Sequence, residues 1–486
     1  MTQPFPSNNE YSGFNAPMRV ECDIGDLVVE GALPKDINGT WFRLTPDPYY
    51  PPKFDHDNFF ASDGMLSMFR FHDGKVDYKT RYVMTDRLKA ERAAGRALFG
   101  IYRNPYTDDS SVKDVPRGVA NTTPVWHADR LLMLKEDSLP MAMDPATLAT
   151  LGWWNFDGRI RSETVTAHPR IDFDTGEMFL NGYEAGGLAT RDISLMVVNK
   201  DGRLVREEWF EAPYVSMMHD FVVTKEHIVF PLFPTTADLD RIKGGGPHWV
   251  YEPDKPTWVG IMPRDGSVKD LRWFQGPGVS AYHFMNGYTE GSKVYFDFSY
   301  TGGHQFPFVR DDSGQVFEPQ KMMCPYVRWE FDLAKPGDQW VEHVLCPAVG
   351  DFPRIADRDH MKDYDVGYYV NYQPQNGPPL MTGIAHMGFN TVTRLEVKSG
   401  RATHFSLGPG TTVAEPVHVP SRISGHEGYL LVATELHDQW LSDVVVLEAA
   451  HIEKGPIARI KLPLRMRHQL HGSWVNAEDL PPAARG

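Results

Sequence analysis

The chain has 486 residues, a formal net charge of −15, 41% hydrophobic and 23% charged residues. That composition suits a folded chain with a large core and excludes a disordered one. The acidic balance and the lack of any Lys/Arg-rich run argue against nucleic acid or an anionic membrane surface as partner. No stretch approaches the roughly 20 apolar residues of a spanning helix. The first residues, MTQPFPSNNEYSGFNAPM, have neither the basic start nor the apolar run of a signal peptide. Cys22, Cys324 and Cys346 supply neither a disulfide framework nor a cysteine zinc site. The expectation is a soluble cytoplasmic protein.

Along the chain, short alternating or apolar runs recur. They include TWFRLTP, MLSMFRFHDGKVDYKTRYV, RLLMLKE, MFLNGYE, LMVVNKDGRLVREEWF, HIVFPLF, KVYFDFSY, VRWEFDL, TVTRLEVKSGRATHFSL, EGYLLVATEL and DVVVLEAA. Between or within them lie HDGK, FDTG, NKDG, EGSK, VKSG and GHEG, whose Asp-Gly and Ser-Gly steps suit tight hairpins. One segment reads as a helix, residues 85–100 (TDRLKAERAAGRALFG), with Thr85 or Asp86 as cap and Leu88, Arg92 and Gly95 at helical spacing. Hairpins continue to the end without βαβ alternation, and the 42 Gly and 38 Pro are spread as turns. The fold class is therefore all-β. With no linker or composition break, residues 1–486 are expected to form a single domain.

A loose internal repeat points to a propeller. His168, His219 and His283 each precede a short apolar stretch, a polar turn and a second apolar run. His471 is a fourth candidate. One histidine per blade entrance would bring several imidazoles near a central axis, and imidazole suits Fe, Zn, Cu and Ni. Such a site needs acids behind the ring nitrogens to fix tautomer and orientation. Glu136, Asp351 and Glu415 sit at strand ends and are the candidates. A single histidine is more often a core or surface residue than a ligand. His127 and His426 are read that way, as solvent-facing residues of hairpin turns. His468 competes with His471, which is preferred because Gly472 allows close backbone approach.

At these residues the sequence resembles the carotenoid cleavage oxygenase family. The likeness is carried by GTWFRLTPDP, SDGML, ANTTPVWH, TAHPRID, MMHDFVVT, YHFMNGY, DFPRI, EPVHVPS and HGSWV, in that order from about Gly31 to Val475. It implies a seven-bladed β-propeller capped on one face by loops and short helices. It also implies iron(II) held by His168, His219, His283 and His471, with Glu136, Asp351 and Glu415 as the acids behind them. Asp351 stands where the family usually has Glu. Its shorter reach leaves open a direct bond to a ligand histidine or one through water.

Within the family the chain looks most like the lignostilbene dioxygenase branch, which cleaves the central double bond of 4-hydroxystilbenes to two aromatic aldehydes. The branch's phenol-binding residues match Tyr102 and Lys135, its aromatic wall matches Phe60, and Thr122 matches a threonine beside an open iron position. Phe59 is as good a wall candidate as Phe60 by sequence alone. Lys135 and Glu136 are adjacent, so both can serve one site only if the strand ends or bulges there. The resemblance implies a phenolic stilbene and O2 as substrates and a possible homodimer. The competing readings are an apocarotenoid-cleaving oxygenase, a retinoid isomerase and, outside enzymes, a metal-free propeller acting as a binding scaffold.

Overall fold

In a computed structural model, residues 3–316 and 324–485 are described. The strand Lys75–Tyr82 shows the period of a half-buried strand, with every second side chain inside. Gly39–Pro46 and Tyr429–Leu436 are buried along their whole length, as expected of strands covered on both faces. The edge strand Val341–Cys346 is largely exposed. Antiparallel pairing of such strands gives seven sheets of four or more strands.

The chain groups into two compact units. One comprises Met1–Trp154, Val370–Thr393 and Thr403–Gly486; the other comprises Asn155–Tyr369 and Arg394–Ala402. In the first unit, one sheet runs Cys22–Ile24, Lys75–Tyr82, Gly64–His72, Gly39–Pro46 and Gly472–Asn476. A second runs from Thr123–His127 to Thr150–Trp153, and a third is built around Leu441–Glu448 and Tyr429–Leu436. In the second unit, successive sheets begin with Arg170–Asp172, Val222–Val223 and Phe284–Glu290. The remaining sheet orders Asp351–Arg354, Val366–Asn371, Thr391–Glu396 and Arg401–Phe405. This is a seven-bladed β-propeller, as expected. Its last strand, Gly472–Asn476, pairs with Gly39–Arg43 and joins the two ends of the chain in one blade.

Alternation along each strand assigns its side chains to two different cores. Trp41, Phe69 and Phe71 pack with Val417, Leu431 and Val444. The alternating partners Phe42, Leu44, Leu66 and Met68 pack with Leu131, Met133 and Met141 of the next sheet. In the second unit, Val229, Val259 and Ile261 meet Phe284, Phe296, Phe298 and Trp329. Within each unit these neighbouring blades are glued by large apolar faces, with burial of one such side chain stabilising by roughly 1.5–3 kcal/mol.

The expected HDGK turn forms, whereas GHEG lies within the nine-residue connection between Val417–Val419 and Tyr429–Leu436. Asp73 and Gly74 both adopt positive φ between His72 and Lys75, the geometry a two-residue turn of this hand requires. The helix corrects the sequence reading of 85–100: it spans only Asp86–Ala94. Thr85 caps it by accepting from the Leu88 amide, and Gly95 at φ +69° ends it in a left-handed turn. Beyond Gly95 the amides turn to side-chain acceptors instead: Leu98 and Phe99 both donate to Glu91 Oε1.

Candidate metal centre and phenol site

The four candidate histidines share one structural address, the start of a strand at one edge of a blade's sheet. His168 lies two residues before Arg170–Asp172, His219 three before Val222–Val223, and His283 directly before Phe284–Glu290. His471 directly precedes Gly472–Asn476. The other three blades follow suit. Thr122 precedes Thr123–His127, Asp351 opens Asp351–Arg354, and Glu415 lies two before Val417–Val419. Seven blades therefore offer four histidines, two acids and a threonine at equivalent positions.

In the second unit the structure brings His168, His219 and His283 together. The Nε2 atoms of His168 and His219 are 2.9 Å apart, and those of His219 and His283 are 3.3 Å apart. His283 Nδ1 donates to Asp351 Oδ1 at 2.7 Å. The contact is direct, so the shorter acid reaches the ring without a bridging water. Asp351 Oδ1 also accepts from the Phe352 amide, which fixes the carboxylate. The bond leaves His283 Nε2 as a lone pair. His219 can satisfy at most one of its two Nε2 contacts by hydrogen bonding, so the other sets like against like. Three neutral imidazoles that converge in this way fit a bound divalent cation.

In the first unit, His471 Nδ1 donates to Glu415 Oε1 at 2.8 Å, and Glu415 Oε2 accepts from the Gly472 amide at 2.9 Å. The same acid therefore orients both the ring and the backbone beside it. His468, the competing candidate, donates instead to Glu435 at 2.9 Å. Burial pushes Glu435 up, but His468, His437 and Thr412 together hold its carboxyl well below the usual range. His468 is thereby part of a separate buried network. The sequence reading of His127 needs correction: it ends the strand Thr123–His127 and is buried. His426 is half-buried and packs on Tyr429, its Nδ1 accepting from the Gly428 amide.

The phenol candidates also meet in the first unit. The strand Arg130–Leu134 ends one residue before Lys135, so alternation no longer separates Lys135 from Glu136, and both are buried. Lys135 Nζ lies 4.7 Å from the centroid of the Phe60 ring and 5.1 Å from that of Tyr102. Phe59, the alternative wall residue, instead lies under the guanidinium of Arg467 at 4.2 Å. Of the two, Phe60 is the one that lies beside Lys135 and Tyr102. Burial lowers the Lys135 amine, with Asp137 and Glu136 opposing. Burial, then Glu136 and Asp137, raise the Tyr102 phenol well above its ordinary value. The Tyr102 hydroxyl is 3.5 Å from Glu136 Oε1, the outer limit of a hydrogen bond.

Three supporting residues escaped the sequence reading. Asp57 Oδ1 accepts from the Tyr102 and Asn58 amides at 2.9 and 3.0 Å. Asn58 in turn accepts from the Phe60 amide. Asn121 donates to the Phe60 and Ser62 carbonyls and accepts from the Thr122 hydroxyl at 3.0 Å. They place Phe60 and Tyr102 through backbone contacts and Thr122 through its hydroxyl, which a sequence motif does not display.

Residues 15–476 match the family described as retinal pigment epithelial membrane protein. The chain belongs to this family, the carotenoid cleavage oxygenases. It is 40% identical to lignostilbene-alpha,beta-dioxygenase isozyme III of Sphingomonas paucimobilis over 99% of each chain. It is 38% identical to isoeugenol monooxygenase of Pseudomonas nitroreducens, covering 94% of this chain and 96% of that one. The crystal structure of Pseudomonas brassicacearum lignostilbene dioxygenase superimposes with a TM-score of 0.95 at 41% identity, covering 98% of this chain and 100% of the other. Among carotenoid cleavage oxygenases, the cobalt-substituted Synechocystis ACO shares the fold at a TM-score of 0.80 and 24% identity. Among the described residues, no helix is long and apolar enough to cross a membrane.

Proposed function

We propose that the chain is an iron(II) oxygenase that cleaves the central double bond of 4-hydroxystilbenes into two aromatic aldehydes. The observation that carries this is Lys135, a buried amine set against the rings of both Phe60 and Tyr102. A long apolar polyene gives such an amine no task; a phenol does. The named relatives agree in their chemistry, since lignostilbenes and isoeugenol both carry an alkene para to a phenolic oxygen.

We assign the metal to His168, His219, His283 and His471. Asp351 and Glu415 support this by holding the Nδ1 atoms of two of these rings, and Glu136 is assigned to the same supporting role. Iron(II) bound there supplies the activation of O2. The protein's own residues act on the phenol. Lys135, whose amine is made less basic by burial, takes the proton of the 4-hydroxyl at Nζ. The ammonium then holds the phenolate by a charge-assisted hydrogen bond. Tyr102, held firmly protonated, donates a second. The phenolate pushes electron density through the ring into the para alkene. Phe60 closes one face, and Thr122 is placed beside the open metal position. One alkene and one O2 account for both aldehyde oxygens in this scheme. The chain is read as one propeller domain, supported by the strand Gly472–Asn476 completing the blade that begins at Gly39.

Lys135→Met tests the reading. Turnover of a 4-hydroxystilbene should fall at least about 100-fold while iron per chain stays as in the wild type. Turnover near that of the wild type would contradict it.

A further inference from the structure

The three clustered histidines begin three different blades, and a single buried ion pair joins the backbone beside each. Arg170 stands two residues after His168. Its Nη2 donates to Asp220 Oδ2 at 2.5 Å and to the Phe284 carbonyl at 3.2 Å, and its Nε donates to the Phe221 carbonyl at 2.8 Å. Asp220 follows His219 directly. Its Oδ1 accepts from the Phe221 amide at 2.8 Å, and its Oδ2 accepts from the Phe284 amide at 3.0 Å. Phe284 follows His283. The Asp220 side chain is 2% exposed and that of Arg170 14%, so water competes little for these bonds.

We infer that Arg170 and Asp220 are positioning residues for the metal centre, a clasp that sets the spacing of His168, His219 and His283 before metal binds. The inference rests on the metal assignment above and adds the device that makes it work. His219 Nε2 faces both other rings, at 2.9 and 3.3 Å, and can satisfy at most one of those contacts by hydrogen bonding, so these ring-to-ring contacts do not by themselves set the spacing. The backbone has to contribute to it, yet each ring sits where a strand is only beginning. The guanidinium supplies what those strand ends lack. Its planar fork reaches two blades other than its own from one rigid group. Asp220 uses both oxygens to fix the same two backbones.

A lysine at position 170 keeps the charge but offers one compact donor group in place of the fork. An asparagine at 220 turns one acceptor oxygen into a donor that faces the Phe284 amide and Arg170. Both substitutions therefore remove the geometry with little change in volume.

The test uses the full-length protein freed of metal, with Co(II) as probe. Affinity is read by competition with a chromogenic chelator, and geometry by the visible Co(II) spectrum. Circular dichroism and thermal melts report folding. Arg170→Lys and Asp220→Asn should each weaken Co(II) binding at least about 10-fold and alter the spectrum in folded protein, the range seen when groups behind metal ligands are removed. Arg191→Lys, in the exposed ion pair with Glu211 on the sheet that Arg170 begins, should change neither. Wild-type affinity and spectrum in folded Arg170→Lys or Asp220→Asn protein would overturn the clasp. So would a lowered melting temperature with unchanged affinity, which marks a merely structural pair. A wild-type protein that binds no Co(II) or Fe(II) would instead overturn the metal assignment.

Discussion

Lys135 is placed where the fold disfavours its charge, and the proposed chemistry has it accept the phenol's proton. Between its lowered pKa and the roughly 10.4 of an unfolded lysine, the unfolded chain binds more protons than the native one. Stability therefore rises with pH across that window. Lys135→Met removes the slope, so its melting temperature should match or exceed that of the wild type at pH 7, with a smaller advantage near pH 10. An inactive variant that is no less stable than its parent would be the mark of a functional buried charge. Asp57 has the opposite sign. Burial pushes its carboxyl up to about 6, against the Tyr102 and Asn58 amides, Arg87 and Arg117. A native pKa above the unfolded value means that stability falls as pH rises from about 4 through 6. The melting temperature of Asp57→Asn relative to wild type should rise over the same interval. At Asp351 the direct bond to His283 predicts that Asp351→Ala weakens metal binding about 10- to 100-fold in a chelator competition.

At the scale of elements, function depends on where strands and the helix stop. The Arg130–Leu134 strand ends in time for Lys135 and Glu136 to escape strict alternation. That ending was not readable, because the apolar run LLML continues smoothly into a lysine whose stem could equally have remained in strand. The helix was readable at its start and not at its end. Thr85 is a recognisable cap, while Arg96–Gly100 keeps a helix-like composition although Gly95 has already turned the chain. Thr85→Ala should cost about 1 kcal/mol in denaturant unfolding, since it leaves the Leu88 amide without its cap. The HDGK hairpin is legible because an Asp-Gly step states its own geometry. His127 was misjudged for a related reason: a turn follows it, yet its own position is the buried last residue of a strand.

At the scale of the molecule, the propeller turns a sequence repeat into one chemical address. Three His-led segments were visible as a repeat because blade after blade reuses the same order of loop, strand and turn. The residues that keep this address but change its chemistry, Thr122, Asp351 and Glu415, did not look like repeats of a histidine. Asp351 and Glu415 stood out as acids at strand ends, while Thr122 entered only through the resemblance to known oxygenases. Arg170 and Asp220 were in view within TAHPRID and MMHDFVVT, but nothing in one dimension shows that they meet across 50 residues. Metal should couple to the stability of the whole, because it binds the native arrangement and not the unfolded chain. The iron-loaded protein should melt above the metal-free one, and by more as free metal rises, with about 2.7 kcal/mol expected at a hundredfold excess over Kd.

The central claim is that a free phenol drives cleavage of the neighbouring alkene. The most direct measurement is an aerobic assay of the iron-loaded protein on a 4-hydroxystilbene, its 4-O-methyl ether and an apocarotenal, with aldehyde products identified by mass. The account predicts two aromatic aldehydes from the phenol and at least about 100-fold slower cleavage of the ether. Equal cleavage of the ether, or cleavage of the apocarotenal alone, would contradict it.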